Sequence, residues 1–332
     1  MHSAASRLPA SQGLLILPRL RVQNANAISS PLTHGFPAMS AFLGLMWALA
    51  RRLEPQDLPL TLDSVGVICH DFDEQTTDAG YTRAFRLTRN PVDKSGATAA
   101  IVEEGRIHLD ITLVFGVTGG CVDLDAGARQ TIAAQVADTL AGLRIAGGSV
   151  LPVGRASWKQ TPELLPLADN AEEARKQFRR LRRRLLPGFA LVCRDDLLQA
   201  RLHTLQQEQA TATPLDALLD LASFHWRPQA PEAEAPATPG GKQAWAPVER
   251  PGWIVPIPVG YGALSPLQAA GSVANARDSH TPFRFVESLY SIGEWLGPHR
   301  LQSHDQLLWY GDSNPDSGLY RCRNDYALSL QA

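Results

Sequence analysis

Apolar residues mass first at Leu14-Leu15-Ile16-Leu17, followed by Leu20 and Val22, and then give way to a polar stretch over 23–33. A short apolar run bounded by turn residues predicts a buried strand that runs out into a loop. Pro37 opens the next segment, where Phe42, Leu45, Met46 and Leu49 recur at helical spacing between Ala38 and Leu53. Val65 to Cys69 predicts a second strand. A polar excursion follows from about Asp71 to Glu104, with Phe85-Arg86-Leu87 as an extended piece inside it. From Arg106 to Val117 apolar and polar positions alternate through Ile107, Leu109, Ile111, Leu113 and Phe115, the period of a strand with one buried face. Helical spacing returns through Ile132, Val136 and Leu140, and Gly147-Gly148 then marks a turn into a short fourth strand ending near Pro152. This order predicts an α+β, ferredoxin-like βαββαβ domain over residues 13–155, the arrangement of RNA-recognition-motif folds, with a hairpin inserted at about 71–104.

The pattern changes in the second half, 156–332, which reads as mixed and mainly helical. Asn170 to Leu186 predicts a helix stopped by Pro187-Gly188, and Phe189 to Cys193 a short strand. Leu197–Leu205 and Leu215–Phe224 predict helices, the latter opened by Thr213-Pro214. The proline-rich stretch 228–247 reads as a flexible linker. Trp253 to Pro258 is extended, and its prolines confine it to a sheet edge or bulge. Phe285, Leu289, Ile292, Trp295 and Leu296 predict an amphipathic helix over Phe283–Leu296.

Composition fits a folded chain: 332 residues, 44% hydrophobic, 19% charged, with a formal net charge of −2. A uniformly basic coat for nucleic acid is excluded, but the neutrality is a cancellation between regions. Before Glu54 there is no acid, whereas Arg7, Arg19, Arg21, Arg51 and Arg52 are present. From Glu54 to Asp78 there is no Lys or Arg. Then Arg175, Lys176, Arg179, Arg180, Arg182, Arg183 and Arg184 crowd into ten positions of the predicted helix with no acid among them. Cys69, Cys121, Cys193 and Cys322 are widely spaced, and neither a disulfide framework, a redox motif nor a metal site is expected. No cofactor motif, nucleophile elbow or Walker loop occurs, and no run approaches a membrane span. A soluble cytoplasmic protein without a membrane partner is expected.

Phe178, Leu181 and Leu185 share one side of the arginine-rich helix and give it a docking stripe, leaving the cations on the remaining surface. Like charges at i,i+4 repel, so the face fits a polyanion or an acidic protein surface rather than bulk solvent. Gln23, Asn24, Asn26, Ser29, Ser30 and His34 pack the first polar loop with groups that can read unpaired base edges, or equally can bond their own backbone. Arg83, Arg86, Arg89 and Lys94 in the insertion can grip a phosphate backbone or be ordinary surface charge. Gly147-Gly148 offers a close backbone approach to phosphate, or simply a turn. His34 is the one histidine placed to act as a general base for RNA cleavage, but no catalytic constellation accompanies it.

Several segments carry a family resemblance: QNANAISSPLTHGFP at 23–37, LTRNP at 87–91, ATAAIVEEGR at 97–106, AGGSVLP at 146–152 and RRLLPGFALV at 183–192. PLDALLDL at 214–221, PGWIVPIPVGYGALSPL at 251–267, NARD at 275–278, RFVESLY at 284–290 and GEWLGPHR at 293–300 extend it from Leu14 to Tyr320. On these the chain resembles the Cas-five-type Csy subunits of type I-F CRISPR surveillance complexes (the Csy complex, a Cascade). The resemblance implies a non-catalytic CRISPR RNA-binding subunit of the repeat-associated RNA-binding (RAMP) superfamily in the bacterial cytoplasm. Such a subunit caps the 5′ handle of the CRISPR RNA as a heterodimer with the large Csy subunit. Its thumb, here about 71–104, meets the guide and the first backbone subunit, and the assembled particle recognises invading double-stranded DNA. It implies RNA contact at Arg19, Gln23, Asn24, Asn26, Ser29, Ser30, His34, Arg83, Arg86, Arg89, Lys94, Arg106, Gly147, Gly148, Arg175, Arg179, Arg180, Arg182 and Arg183. A repeat-RNA endoribonuclease using His34, and a scaffold whose arginine helix docks protein alone, are the other function classes to weigh.

Overall fold

Two rows of apolar side chains on opposite faces of the same strands decide the architecture. In the computed structural model, which describes residues 7–89, 92, 95–152, 160–228, 245–276 and 278–330, one eleven-stranded antiparallel sheet runs through the chain. Its strands are β1 (Gly13–Asn26), β2 (Thr61–Glu74), β3 (Arg106–Thr118), β4 (Arg144–Ile145), β5 (Gly148–Val150), β6 (Glu163–Pro166), β7 (Phe189–Cys193), β8 (Ile254–Ala263), β9 (Val286–Leu296), β10 (Trp309–Asn314) and β11 (Leu319–Asn324). Six α-helices accompany them among the described residues: α1 (Met39–Leu53), α2 (Ala126–Ala141), α3 (Ala171–Arg184), α4 (Asp195–Glu208), α5 (Pro214–Ala222) and α6 (Tyr326–Ser329). The expected boundary at 155/156, Lys94 and nearly all of the 228–247 linker lie outside the described residues.

In the first half, β5, β1, β3 and β2 are neighbours in that order and every adjacent pair is antiparallel. Helix α1 joins β1 to β2, and α2 joins β3 to the β4–β5 hairpin. Both pack on one face of the sheet, where Phe42, Leu43, Met46 and Leu49 of α1 and Ile132, Val136 and Leu140 of α2 meet Leu15, Leu17, Val67 and Phe115. The alternation read in β3 holds only from Arg106 to Asp110. From Ile111 to Val117 every side chain is buried, because a second layer covers the other face. That layer is α3, whose Phe178, Leu181 and Leu185 close over Leu14, Ile16, Ile68 and Val114. The docking stripe expected from sequence is thus the seam between α3 and the sheet.

The second half departs from expectation. It is not mainly helical: β7 to β11 extend the same sheet, and a Trp309–Val65 pairing returns β10 to β2. Strands β2, β7, β9, β8, β11 and β10 therefore close into a ring. The segment expected to be a helix at Phe283–Leu296 is strand β9, paired with β8 on one side and β7 on the other. Apolar residues on both faces of a twice-paired strand imitate a broad helical stripe, and long-range pairing overrides the local pattern. Gly293 fixes the fit, since a Cβ there would lie 2.9 Å from Leu191 and 3.0 Å from Ile257. Prolines 256 and 258 sit where β8 is paired on one side only, and the register slips between Pro258 and Gly260. A proline without an N–H tolerates only such a site.

Helix ends follow their sequence signals. Asn170 accepts a hydrogen bond from the Glu173 N–H at 2.8 Å, capping α3, and Thr213 with Asp216 forms a capping box on α5. Arg201 grips Asp220 through two bonds of 2.6 and 3.0 Å, tying α4 to α5 and holding the Asp220 carboxyl below the usual range.

Candidate nucleic-acid interface

Helix α3 sorts its seven cations by position. Arg182 is half-buried and donates to the carbonyls of His299 at 3.0 Å and Leu301 at 2.7 Å, so its charge anchors the helix instead of facing outward. Arg184 pairs with Glu163 of β6, and Lys176 with Glu172 at 2.7 Å within the helix. Arg175, Arg179, Arg180 and Arg183 are exposed and make no hydrogen bond or ion pair with other described residues. Arg175, Arg179 and Arg183 fall at i, i+4 and i+8, a single row along the helix. A cleft of about 430 Å³ runs beside the end of that row, lined by Arg183, Arg184, Arg19 and Thr112. Arg19 occupies a bulge of β1 with φ 54° and pairs with Asp110 at 3.2 Å.

His70 locks the end of α3 to the sheet. Its Nδ1 lies 2.5 Å from the Pro187 carbonyl, which can only accept, so that nitrogen carries the proton. Nε2, 2.7 Å from Thr112 Oγ1, then accepts the hydroxyl proton, while the same hydroxyl accepts the Arg19 N–H at 3.2 Å. Burial is the largest cause that lowers the His70 pKa below its usual 6.5. The unfolded chain therefore takes up this proton at higher pH than the folded chain does. Stability from the neutral imidazole is complete above pH 6.5 and falls away as acidification approaches the depressed folded value. Urea unfolding at pH 7.5 and 5.0 is expected to show lower stability at the acid end, with a smaller difference in His70→Gln.

A second group gathers at the far end of β1. Ala146 and Gly147 both have positive φ, 47° and 80°, making the two-residue turn of the β4–β5 hairpin. Gly148 is buried against β1, where a Cβ would come within 2.7 Å of the Ala25 nitrogen. The turn's carbonyl at Ala146 accepts the Asn26 N–H at 2.9 Å. Arg106 pairs with Glu104 and reaches the Asn24 carbonyl at 3.4 Å, and its guanidinium holds the Glu104 carboxyl below the usual range. The exposed side chains of Gln23 and Asn24 make no hydrogen bond within the described residues.

The remaining loop residues are mostly committed to the loop's own shape. β1 runs on to Asn26, further than the expected loop start. Asn26 bonds the backbone of Ile28 from both ends of its amide, at 2.7 and 3.1 Å. Ser29 and Ser30 share Thr33, at 2.8 and 2.6 Å. His34 differs: its ring is exposed, its Nδ1 meets Glu74 Oε1 at 2.9 Å, and it makes a T-shaped contact with Phe85 of the insertion, centroids 5.6 Å apart. In the insertion two short hairpins replace the single extended piece, pairing Thr76–Asp78 with Arg83–Phe85 and Leu87–Arg89 with Ile101–Glu103. Arg86 donates to Gln75 Oε1 at 2.9 Å, Arg83 lies 3.8 Å from Asp78, and Arg89 ends its strand.

Sequence reading missed an aromatic cleft beside His34. Phe36, Phe72, Phe189, Trp253 and Trp295 converge there from five separate stretches of chain. Each is an isolated aromatic in its own segment, and no local period joins them.

The family model of CRISPR-associated protein (Cas_Csy2) matches residues 15–322, which span both faces of this surface and the cleft. The chain belongs to the Csy2 family of CRISPR-associated proteins. A relative 52% identical over 313 residues, covering 93% of this chain and 94% of its own, is CRISPR-associated protein Csy2 of Pseudomonas aeruginosa strain UCBPP-PA14. In this Csy2-family chain, no helix among the described residues is long and apolar enough to cross a membrane. Among the same residues no three His, Cys, Asp or Glu side chains gather as metal ligands. The four cysteines are free and buried, and burial pushes the thiols of Cys69 and Cys322 up to about 12.

Proposed function

We propose that this chain is the non-catalytic, Cas-five-type subunit of a type I-F Csy complex in the bacterial cytoplasm, where it holds the 5′ handle of the CRISPR RNA. It does so as a heterodimer with the large Csy subunit, and its thumb meets the first backbone subunit. Invading double-stranded DNA is then read by base pairing to the guide in the assembled particle. One observation carries the reading: Arg175, Arg179, Arg180 and Arg183 stand exposed and, among the described residues, unpaired on a helix that Arg182 and a buried apolar stripe hold in place. Guanidiniums that cost the helix mutual repulsion and gain no internal partner suit phosphate oxygens. Gln23 and Asn24, beside the Gly147 turn, are the groups on this surface best placed to touch bases. A ferredoxin-like (RAMP) identity for the first half is part of the proposal, supported by the strand order β5-β1-β3-β2 with both helices on one face.

The His34–Glu74 pair supports a second reading, cleavage of repeat RNA. A carboxylate on Nδ1 leaves Nε2 as the free basic nitrogen of a neutral ring. One experiment tests both. The chain, co-purified with the large subunit, is incubated with labelled handle RNA and with full repeat RNA, and anisotropy and gel mobility are followed. Tight handle binding with intact repeat RNA is expected. Cleavage that His34→Ala abolishes would replace the proposal with the endoribonuclease, and absence of handle binding would refute it.

A further inference from the structure

The cleft beside His34 measures about 240 Å³ and lies between the ends of β2, β7, β8 and β9. Its rings meet edge to face: Phe36 with Trp295 at 4.9 Å between centroids, and Phe189 with Trp253 at 5.1 Å. Phe36 also stacks on Phe42 of α1, which sets the floor on the helical core. Unlike core aromatics, three of these rings stay open to solvent: Phe72 is 57% exposed, Trp253 49% and Phe189 44%.

The polar lining has one sign. Asp71 and Glu74 contribute carboxylates, and among the described residues no Lys or Arg lines the cleft. Asp71 Oδ1 accepts the Phe72 N–H at 2.9 Å, and Glu74 Oε1 meets His34, while no bond within the described residues engages Glu74 Oε2. His70 in the wall is occupied by Pro187 and Thr112. The buried Cys69 thiol is pushed up to about 12, first by burial and then by the charges of Asp71 and Asp110, in keeping with a negative field. The cleft also closes the stretch 54–78, which has no Lys or Arg.

Aromatic faces carry negative potential and attract cations, and carboxylates at the rim add to that attraction. The same lining repels phosphate, which separates this cleft from the arginine face on the other side of the sheet. We infer that the cleft is a docking socket for a basic side chain, arginine above all, presented by a neighbouring protein subunit. A planar guanidinium can lie flat on Trp253 or Phe72 while its fork reaches Glu74, which a lysine ammonium cannot do with the same geometry. The inference rests on the reading of the chain as a member of a multi-protein complex.

The test uses the chain with Phe72→p-benzoylphenylalanine, co-expressed with the other Csy proteins and CRISPR RNA and irradiated after purification. Crosslinks to a peptide of another subunit, centred on an Arg or Lys, are expected. Crosslinks to RNA, or none to any subunit, would overturn the socket. In parallel, Asp71→Asn should weaken recovery of that subunit at least fivefold while handle RNA affinity and melting temperature stay unchanged. Equal recovery by wild type and variant overturns the socket alone. If the wild-type chain recovers no Csy protein at all, the Csy-complex reading itself falls.

Discussion

Replacing Arg179, Arg180 and Arg183 together by Glu is expected to lower affinity for handle RNA about a hundredfold or more at 0.15 M salt. The melting temperature should change by only about 2 °C, because none of the three has a partner within the described fold. The salt dependence identifies the mechanism. Each phosphate contact to a single strand contributes about −0.7 to the slope of log affinity against log salt, so three lost contacts flatten it by about 2. Arg182→Ala provides the contrast. Arg183 beside it carries the same side chain, but the Arg182 guanidinium donates to the carbonyls of His299 and Leu301. Losing those bonds is expected to cost about 2 kcal/mol of stability with little change in salt slope. An unchanged handle affinity in the triple variant would show that this face serves a protein.

The second large effect is on the fold. Asn324, at the end of β11, is buried and uses both ends of its amide. Its carbonyl oxygen accepts from the Cys193 N–H at 3.0 Å and the Tyr326 N–H at 3.4 Å. Its amide nitrogen donates to the carbonyls of Gln306 at 3.0 Å and Leu308 at 2.9 Å. One side chain therefore satisfies four backbone groups, from β7, the 306–308 turn and α6. Asn324→Ala leaves them buried and unpaired, and each orphan costs about 1–3 kcal/mol before relaxation. A loss of about 3–5 kcal/mol is expected, read by urea unfolding. Asn324→Asp keeps the shape but puts acceptors against two carbonyls, and it is expected to be as damaging. A shift below about 1 kcal/mol for both would show that water replaces the amide.

Legibility in the sequence followed the range of the forces involved. Local signals are plain: the Thr213-Pro214 opening of α5, the α1 face through Phe42 and Leu49, and the alternation that opens β3. The seam of α3 was legible too, since Phe178, Leu181 and Leu185 keep helical spacing. What resisted reading was set by distant partners. Strand β9 has the local pattern of a helix because burial on both faces erases its period of two. Arg182 and Arg183 cannot be told apart by type, and only the position of Leu301 separates the anchor from the free cation. Of the polar loop, Asn26, Ser29 and Ser30 turned inward to their own backbone, whereas His34 found Glu74 forty residues on. The aromatic cleft draws on segments from Phe36 to Trp295, and no window along the chain could contain it.

The pairing of β2 with β7 also sets a schedule for synthesis. Cys69 meets Phe189, and Ile68 meets Ala190, about 120 residues later in the chain. At roughly 5–20 residues per second, the outer edge of β2 emerges from the ribosome roughly 6–24 s before its partner strand exists. An unpaired apolar edge of that kind is a template for pairing with another nascent chain. Yield during overproduction should therefore depend on the spacing of ribosomes along the message, and slower initiation should favour intact protein over aggregate.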